Sequence, residues 1–98
     1  MARFDVHCGE GEPLLLDCQT DLLEGINSRL MVPLYRTDRI ERKVPRLNPV
    51  FNVAGHDMIM LTQMMGAVPI KRIGACVDSL AAEQDAIMNA IDMLSIGY

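Results

Sequence analysis

The chain has no tryptophan, only two Tyr and two Phe, and no apolar run near the roughly 18 residues needed to cross a bilayer. A stacking platform for single-stranded nucleic acid is therefore missing, as is a membrane span. Positive charge is scarce: 9 Lys and Arg face 13 Asp and Glu, a net charge of −4. That is a poor basis for neutralising phosphates, so direct nucleic-acid binding is not expected. Three cysteines, Cys8, Cys18 and Cys76, make an odd number with no Cys-x-x-Cys spacing. Free, reduced thiols and no bound metal follow. Gly9-Glu10-Gly11 runs into Glu12-Pro13 instead of opening a helix, so no phosphate loop and no cofactor are expected. With no signal-peptide pattern, the expected compartment is the cytoplasm.

Half of the residues are hydrophobic, and eight of the 98 are Met. The length suits one domain spanning residues 1–98. A chain this short buries roughly 60–70% of its unfolded surface, which makes a lone monomer modestly stable. Methionine fills irregular gaps and adaptable interfaces alike. Its abundance fits an oligomer and a Met-rich core equally well.

Residues 3–8 alternate, with Phe4, Val6 and Cys8 on one face and Arg3, Asp5 and His7 on the other, the pattern of a half-buried strand. Residues 9–13 carry turn chemistry, and Leu14 to Gln19 returns as an antiparallel partner in which Cys8 faces Leu14. Leu22 and Leu23 are adjacent and cannot both face one core in an extended segment. Either they sit on a short helical turn or one is exposed. Residues 29–34 predict a third strand, whose Pro33 lacks a donor and belongs at an edge, a strand end or a bulge. Residues 47–54 and 58–63 flank Gly55-His56-Asp57 as a second hairpin. Met58-Ile59-Met60-Leu61 is apolar on both faces, which calls for cover on both, a second subunit being one source. A last short strand surrounds Val68-Pro69-Ile70.

Residues 35–46 form a polar insert with Arg36, Arg39, Arg42, Lys43 and Arg46. Pro45 forbids a long helix there, so a loop with one or two helical turns is expected. In an acidic chain these five cations either make a solvated loop or dock an acidic segment of a partner. Catalytic residues are few. His7 and His56 lie far apart in sequence, with no neighbouring nucleophile, and Asp17 and Asp21 suit caps and turns. The residues favour an interaction protein over an enzyme.

The C-terminal segment predicts an α-helix over about 79–96. Asp78 and Ser79 offer capping oxygens, and Glu83 and Asp85 suit its positive end. Leu80, Ile87, Ile91 and Leu94 recur as one apolar stripe. Asp85, Met88, Asn89, Asp92 and Ser95 lie on the opposite, mostly polar face. Ile96-Gly97-Tyr98 forms an apolar tip that must dock on its own domain or meet a partner.

The stretches Asp17-Cys18-Gln19-Thr20-Asp21-Leu22-Leu23, Arg29-Leu30-Met31-Val32-Pro33-Leu34, Leu47-Asn48-Pro49-Val50, Ala67-Val68-Pro69-Ile70 and Asn89-Ala90-Ile91, with Gly97, occur in the order and near-spacing of one family. Through them the chain resembles the CcdB toxins of type II toxin–antitoxin systems. The resemblance implies a mainly β fold, an SH3-like partly open β-barrel of the CcdB/Kid-MazF type with a C-terminal helix, assembled as a homodimer. It implies a toxin that binds the DNA gyrase A subunit, traps the gyrase–DNA cleavage complex, and is neutralised by a CcdA-type antitoxin. It assigns gyrase contact to Leu22 and Leu23, to Asp92 and Ser95 at the helix end, and to Ile96, Gly97 and Tyr98. The best-known member ends in Trp-Gly-Ile, so the tip here departs from it at Ile96 and Tyr98, and Tyr98 is the aromatic that remains.

Two other readings compete. The same barrel serves Kid/MazF endoribonuclease toxins, in which case His7, His56 and arginines of residues 36–46 would supply acid, base and phosphate clamp. A degenerate, non-toxic relative would keep only antitoxin binding.

Overall fold

The computed structural model describes residues 1–20 and 25–96. Within them lie β1 (Asp5–Cys8), β2 (Leu14–Asp17), β3 (Ser28–Arg36), β4 (Val50–Val53), β5 (His56–Met60), β6 (Gly66–Pro69), β7 (Cys76–Ser79) and one helix, α1 (Gln84–Ile96). All pairings are antiparallel, in the order β4-β5-β3-β2-β1-β7, while β6 adds to the first half of β3. The sheet curls into a half-barrel, and α1 places Ile87 and Ala90 in the core formed by Val6, Leu16, Val32, Leu34, Val53 and Met60. The mainly β, partly open barrel with a C-terminal helix is the observed fold.

The first hairpin pairs Val6 with Leu16 and Cys8 with Leu14, as the alternation predicts. The three cysteines are free. β3 is the long central strand. Its two ends share one edge between β5 (Leu34 opposite Met60) and β6 (Leu30 opposite Ala67). Pro33 sits inside this strand, not at a sheet edge or a strand end. It falls where β5 stops and β6 has not begun, and its carbonyl alone is used, accepting from Leu61 N–H at 3.1 Å. No partner there requires the donor that proline lacks.

The second hairpin turns on Ala54 and Gly55 alone, with Val53 opposite His56, a shorter loop than residues 55–57. Both turn residues have positive φ, 50° and 89°, the two-residue geometry that matches strand twist. All four residues of Met58-Ile59-Met60-Leu61 are buried. Met58 and Met60 enter the main core, while Ile59 lies on the opposite face with Met31, and both are sealed within one chain. The two-faced apolar pattern thus needs no second subunit.

The approach to the helix differs most from expectation. A Cβ on Gly74 would lie 3.0 Å from the Cys8 carbonyl oxygen, and Gly74 N–H donates to that oxygen at 2.8 Å. A side chain there would crowd the β1 backbone, so glycine suits the close pass. The following residues pair with β1 as β7, and Leu80 N–H donates to Phe4 O at 2.8 Å, so the chain stays extended where a helix was expected. Ser79 Oγ accepts from Ala81 N–H at 3.3 Å, ahead of a 3₁₀ turn over Ala81–Glu83. The α-helix starts at Gln84 rather than Ser79.

Candidate functional site

α1 divides along its length. Ile87 and Ala90 are fully buried, with Ala86, Met88 and Ile91 packed against the core. Burial of an isoleucine such as Ile87 contributes about 1.5–3 kcal/mol, which anchors the first half of the helix. The expected stripe then leaves the core, because Leu94 is 40% exposed and Ile96 63% exposed. Asp92 and Ser95 are exposed beside them, and Ser95 Oγ donates to Ile91 O at 3.1 Å. The end of α1 therefore exposes two apolar side chains, Leu94 and Ile96, on different sides of the helix and among polar neighbours. Gly97, Tyr98, Leu22 and Leu23 lie outside the described residues.

The residues leading to Leu22 have structural work. Asp17 Oδ1 accepts from Gln19 N–H at 2.9 Å, and Asp17 Oδ2 accepts from Arg29 Nε at 2.9 Å. Gln19 Oε1 in turn accepts from Leu30 N–H at 3.2 Å. This network closes the end of the β2–β3 ladder just before the chain reaches Asp21. The motif's acid and amide serve the fold, and Asp17 does not approach His7 as a carboxylate–imidazole pair would require.

Arg36 ends β3, Arg39 lies on the 3₁₀ turn Thr37–Arg39, and Arg42, Lys43 and Arg46 follow on an exposed loop. The expected loop with a helical turn is present. Arg39 Nε meets Glu12 Oε1 at 3.0 Å, with both side chains more than half exposed. Solvent screening limits such a pair to about 0–1 kcal/mol. Arg36 also lines a polar concavity of about 380 Å³ with Thr37, Asp38, Asn52, Gly55, His56 and Asp57. The fold thus brings Arg36 to His56, two of the groups an RNA-cleaving site would need. His7 is elsewhere, buried on β1 with Nδ1 3.1 Å from Gly74 O.

One constellation has no local signature in the sequence. Pairing of β1 with β7 sets Asp5 and His7 beside Cys76. No short-range spacing reveals it, because Cys76 reaches β1 only through β7, a strand that no alternation in the sequence announces.

The sequence model of the CcdB protein family matches residues 3–97. Among solved structures, an endoribonuclease in complex with its cognate antitoxin from Mycobacterial species superposes with a TM-score of 0.77 at 13% identity, covering 100% of this chain and 98% of that one. An endoribonuclease from Mycobacterial species gives 0.81 at 12% identity, covering 100% and 94%. Mycobacterium tuberculosis toxin MazF-mt6 gives 0.74 at 13% identity, covering 90% and 92%. At such identities these likenesses establish the shared fold.

Proposed function

The chain belongs to the CcdB family, and on that footing we propose that it is the toxin of a type II toxin–antitoxin pair acting on DNA gyrase. In this reading it works in the cytoplasm as a homodimer of single-domain subunits. The end of α1 binds the gyrase A subunit and traps the cleaved-DNA complex. The observation that carries the reading is the exposure of Leu94 and Ile96 on a helix whose first half is locked into the core. A rigid helix with an apolar end presents its contacts at little ordering cost.

No catalytic residue or cofactor enters this mechanism. A dimer presents two tips about one two-fold axis, matching a two-fold enzyme. If the tip fits only the opened enzyme, binding shifts the population toward that state. Leu22, Leu23, Gly97 and Tyr98 complete the contact with Asp92, Ser95 and Ile96. A CcdA-type antitoxin lays an acidic segment along Arg36, Arg39, Arg42, Lys43 and Arg46, where opposite charge steers association.

Deleting residues 96–98 tests the reading. The truncated protein is expected to fold and self-associate as before, yet no longer arrest growth or accumulate linearised DNA with gyrase and supercoiled plasmid. A truncated protein that still does both removes the tip from the mechanism.

The pocket of Arg36 and His56 supports a second reading, an endoribonuclease like those sharing the fold. His56 would move the proton and Arg36 would clamp the phosphate. Asp38 and Asp57 in the same pocket oppose an RNA backbone, as does the net charge of −4. RNA fragments from pure protein, lost in His56→Ala, would select this reading over gyrase. Tight antitoxin binding without growth arrest would select a non-toxic relative.

A further inference from the structure

We infer that Asp5, His7 and Cys76 form a binding site for a zinc-type divalent transition metal on the outer face of the β1–β7 pair. A carboxylate oxygen, an imidazole nitrogen and the thiol sulfur lie within 4.8 Å of one another. Ligands around a tetrahedral zinc ion stand about 3.6 Å apart, so modest side-chain rotation closes the set. Cys76 is exposed and free to make it.

The backbone builds this juxtaposition. Asp5 and His7 share a strand face, two residues apart. Val6 pairs with Asp78, yet His7 pairs with Cys76, because a bulge at Val77 shifts the register. In a regular ladder His7 would face the apolar Val77. The bulge re-aims β7 and puts the sulfur there instead, as bulges beside functional sites do.

His7 carries the decisive observation. The residue is only 5% exposed. Its Nδ1 lies 3.1 Å from Gly74 O. A carbonyl can only accept, so Nδ1 holds the proton and Nε2 presents its lone pair. Nε2 is buried and, among the described residues, has no hydrogen-bond partner. A buried ring nitrogen left unpaired is costly, and a metal ion removes that cost. A backbone carbonyl that fixes the tautomer of a metal-ligating histidine is the usual outer-shell device. Because the carbonyl, not Asp5, takes the Nδ1 proton, the trio is not wired as acid, base and nucleophile.

Asp5 is also steadied. Ala2 N–H donates to Asp5 Oδ2 at 3.1 Å, while the Cys76 thiol donates to Asp78 O at 3.4 Å, a bond it gives up when it ionises. On binding, the thiol proton passes to solvent. Thiolate and carboxylate then balance the divalent charge, and water takes the fourth position. The mixed N/O/S set favours zinc over calcium or magnesium, which prefer oxygen. The ion would staple β7, and with it the approach to α1, to the first strand.

Calorimetric titration of the metal-stripped full chain with Zn²⁺, paired with Co²⁺ absorption spectroscopy, tests this. One ion per chain is expected, with a thiolate-to-cobalt charge-transfer band and a higher melting temperature. Cys76→Ser and Asp5→Asn change accessible side chains and leave the core intact. Each is expected to lose the melting shift and weaken Zn²⁺ binding by at least the roughly 10–100-fold seen for outer-shell losses. Cys8→Ser should bind as the parent does. No uptake by the parent chain, or unchanged uptake by Cys76→Ser, overturns the assignment.

Discussion

Asp17 and Arg29 meet at 2.8 Å with side chains 0% and 5% exposed, a salt bridge sealed between β2 and β3. Taking both charges out of water is costly, and their attraction offsets it only while both are present.

Arg29→Met leaves the carboxylate buried and unpaired. The expected loss is about 3–5 kcal/mol, read as a lower urea midpoint. Adding Asp17→Leu should restore part of that loss, because no orphaned charge remains although the Gln19 N–H loses its acceptor. An unchanged midpoint in the single variant would mean that water reaches the pair.

Burial pushes the Cys18 thiol up from 9.0 to about 12, the Asp17 charge adding to the rise and Arg3 opposing it. The pKa is higher in the folded state, so the contribution is complete below pH 9.0 and is lost as pH climbs toward about 12. Urea midpoints are expected to fall across that window, with a shallower fall in Cys18→Ala. At pH 9.0, iodoacetamide should label exposed Cys76 and spare Cys18 until the chain is unfolded.

Ile87 and Leu94 share a stripe but have opposite surroundings. Ile87→Ala opens a core cavity and should cost about 2–5 kcal/mol. Leu94→Ala should stay within about 0.5 kcal/mol of the parent. Only the second should weaken gyrase capture in a fully folded protein. Equal melting losses would place Leu94 in the core.

Asp78 Oδ2 accepts from Ala54 N–H and Oδ1 from Ser79 N–H, both at 2.8 Å. These two donors hold its carboxyl below the usual carboxylate range. Its contribution is therefore present above the unfolded value of about 3.9 and is lost as pH falls through the lowered folded value. In an acid titration followed by NMR, the Ala54 amide should shift with a midpoint below that value. Asp78→Asn should abolish the shift.

Local pattern was enough wherever one residue's neighbours in sequence are also its neighbours in space. Phe4 and Val6 alternate toward the core, residues 9–13 turn, and Cys8 faces Leu14 as the hairpin requires. Met58 to Leu61 signalled burial on both faces, correctly, but not what provides the cover. Pro33 signalled a missing donor, yet its place in the central strand depends on where β5 ends and β6 begins. Asp78 and Ser79 read as helix caps because their oxygens suit capping. Pairing with β1 claimed that backbone first.

By itself, then, the sequence determined the half-barrel class, the first hairpin, the free thiols and an amphipathic C-terminal helix. The hairpin, the thiols and the helix follow from short-range periodicity and side-chain chemistry, whereas the half-barrel class is what the resemblance to the CcdB toxins implies. Tertiary structure alone decided which part of the helix is core and which is tip, because burial depends on where the sheet ends beneath it. It also decided that Asp17 pairs with Arg29, that Arg36 and His56 line one concavity, and that Asp5 and His7 lie beside Cys76. Each joins residues on separate elements, and strand order and register bring them within reach.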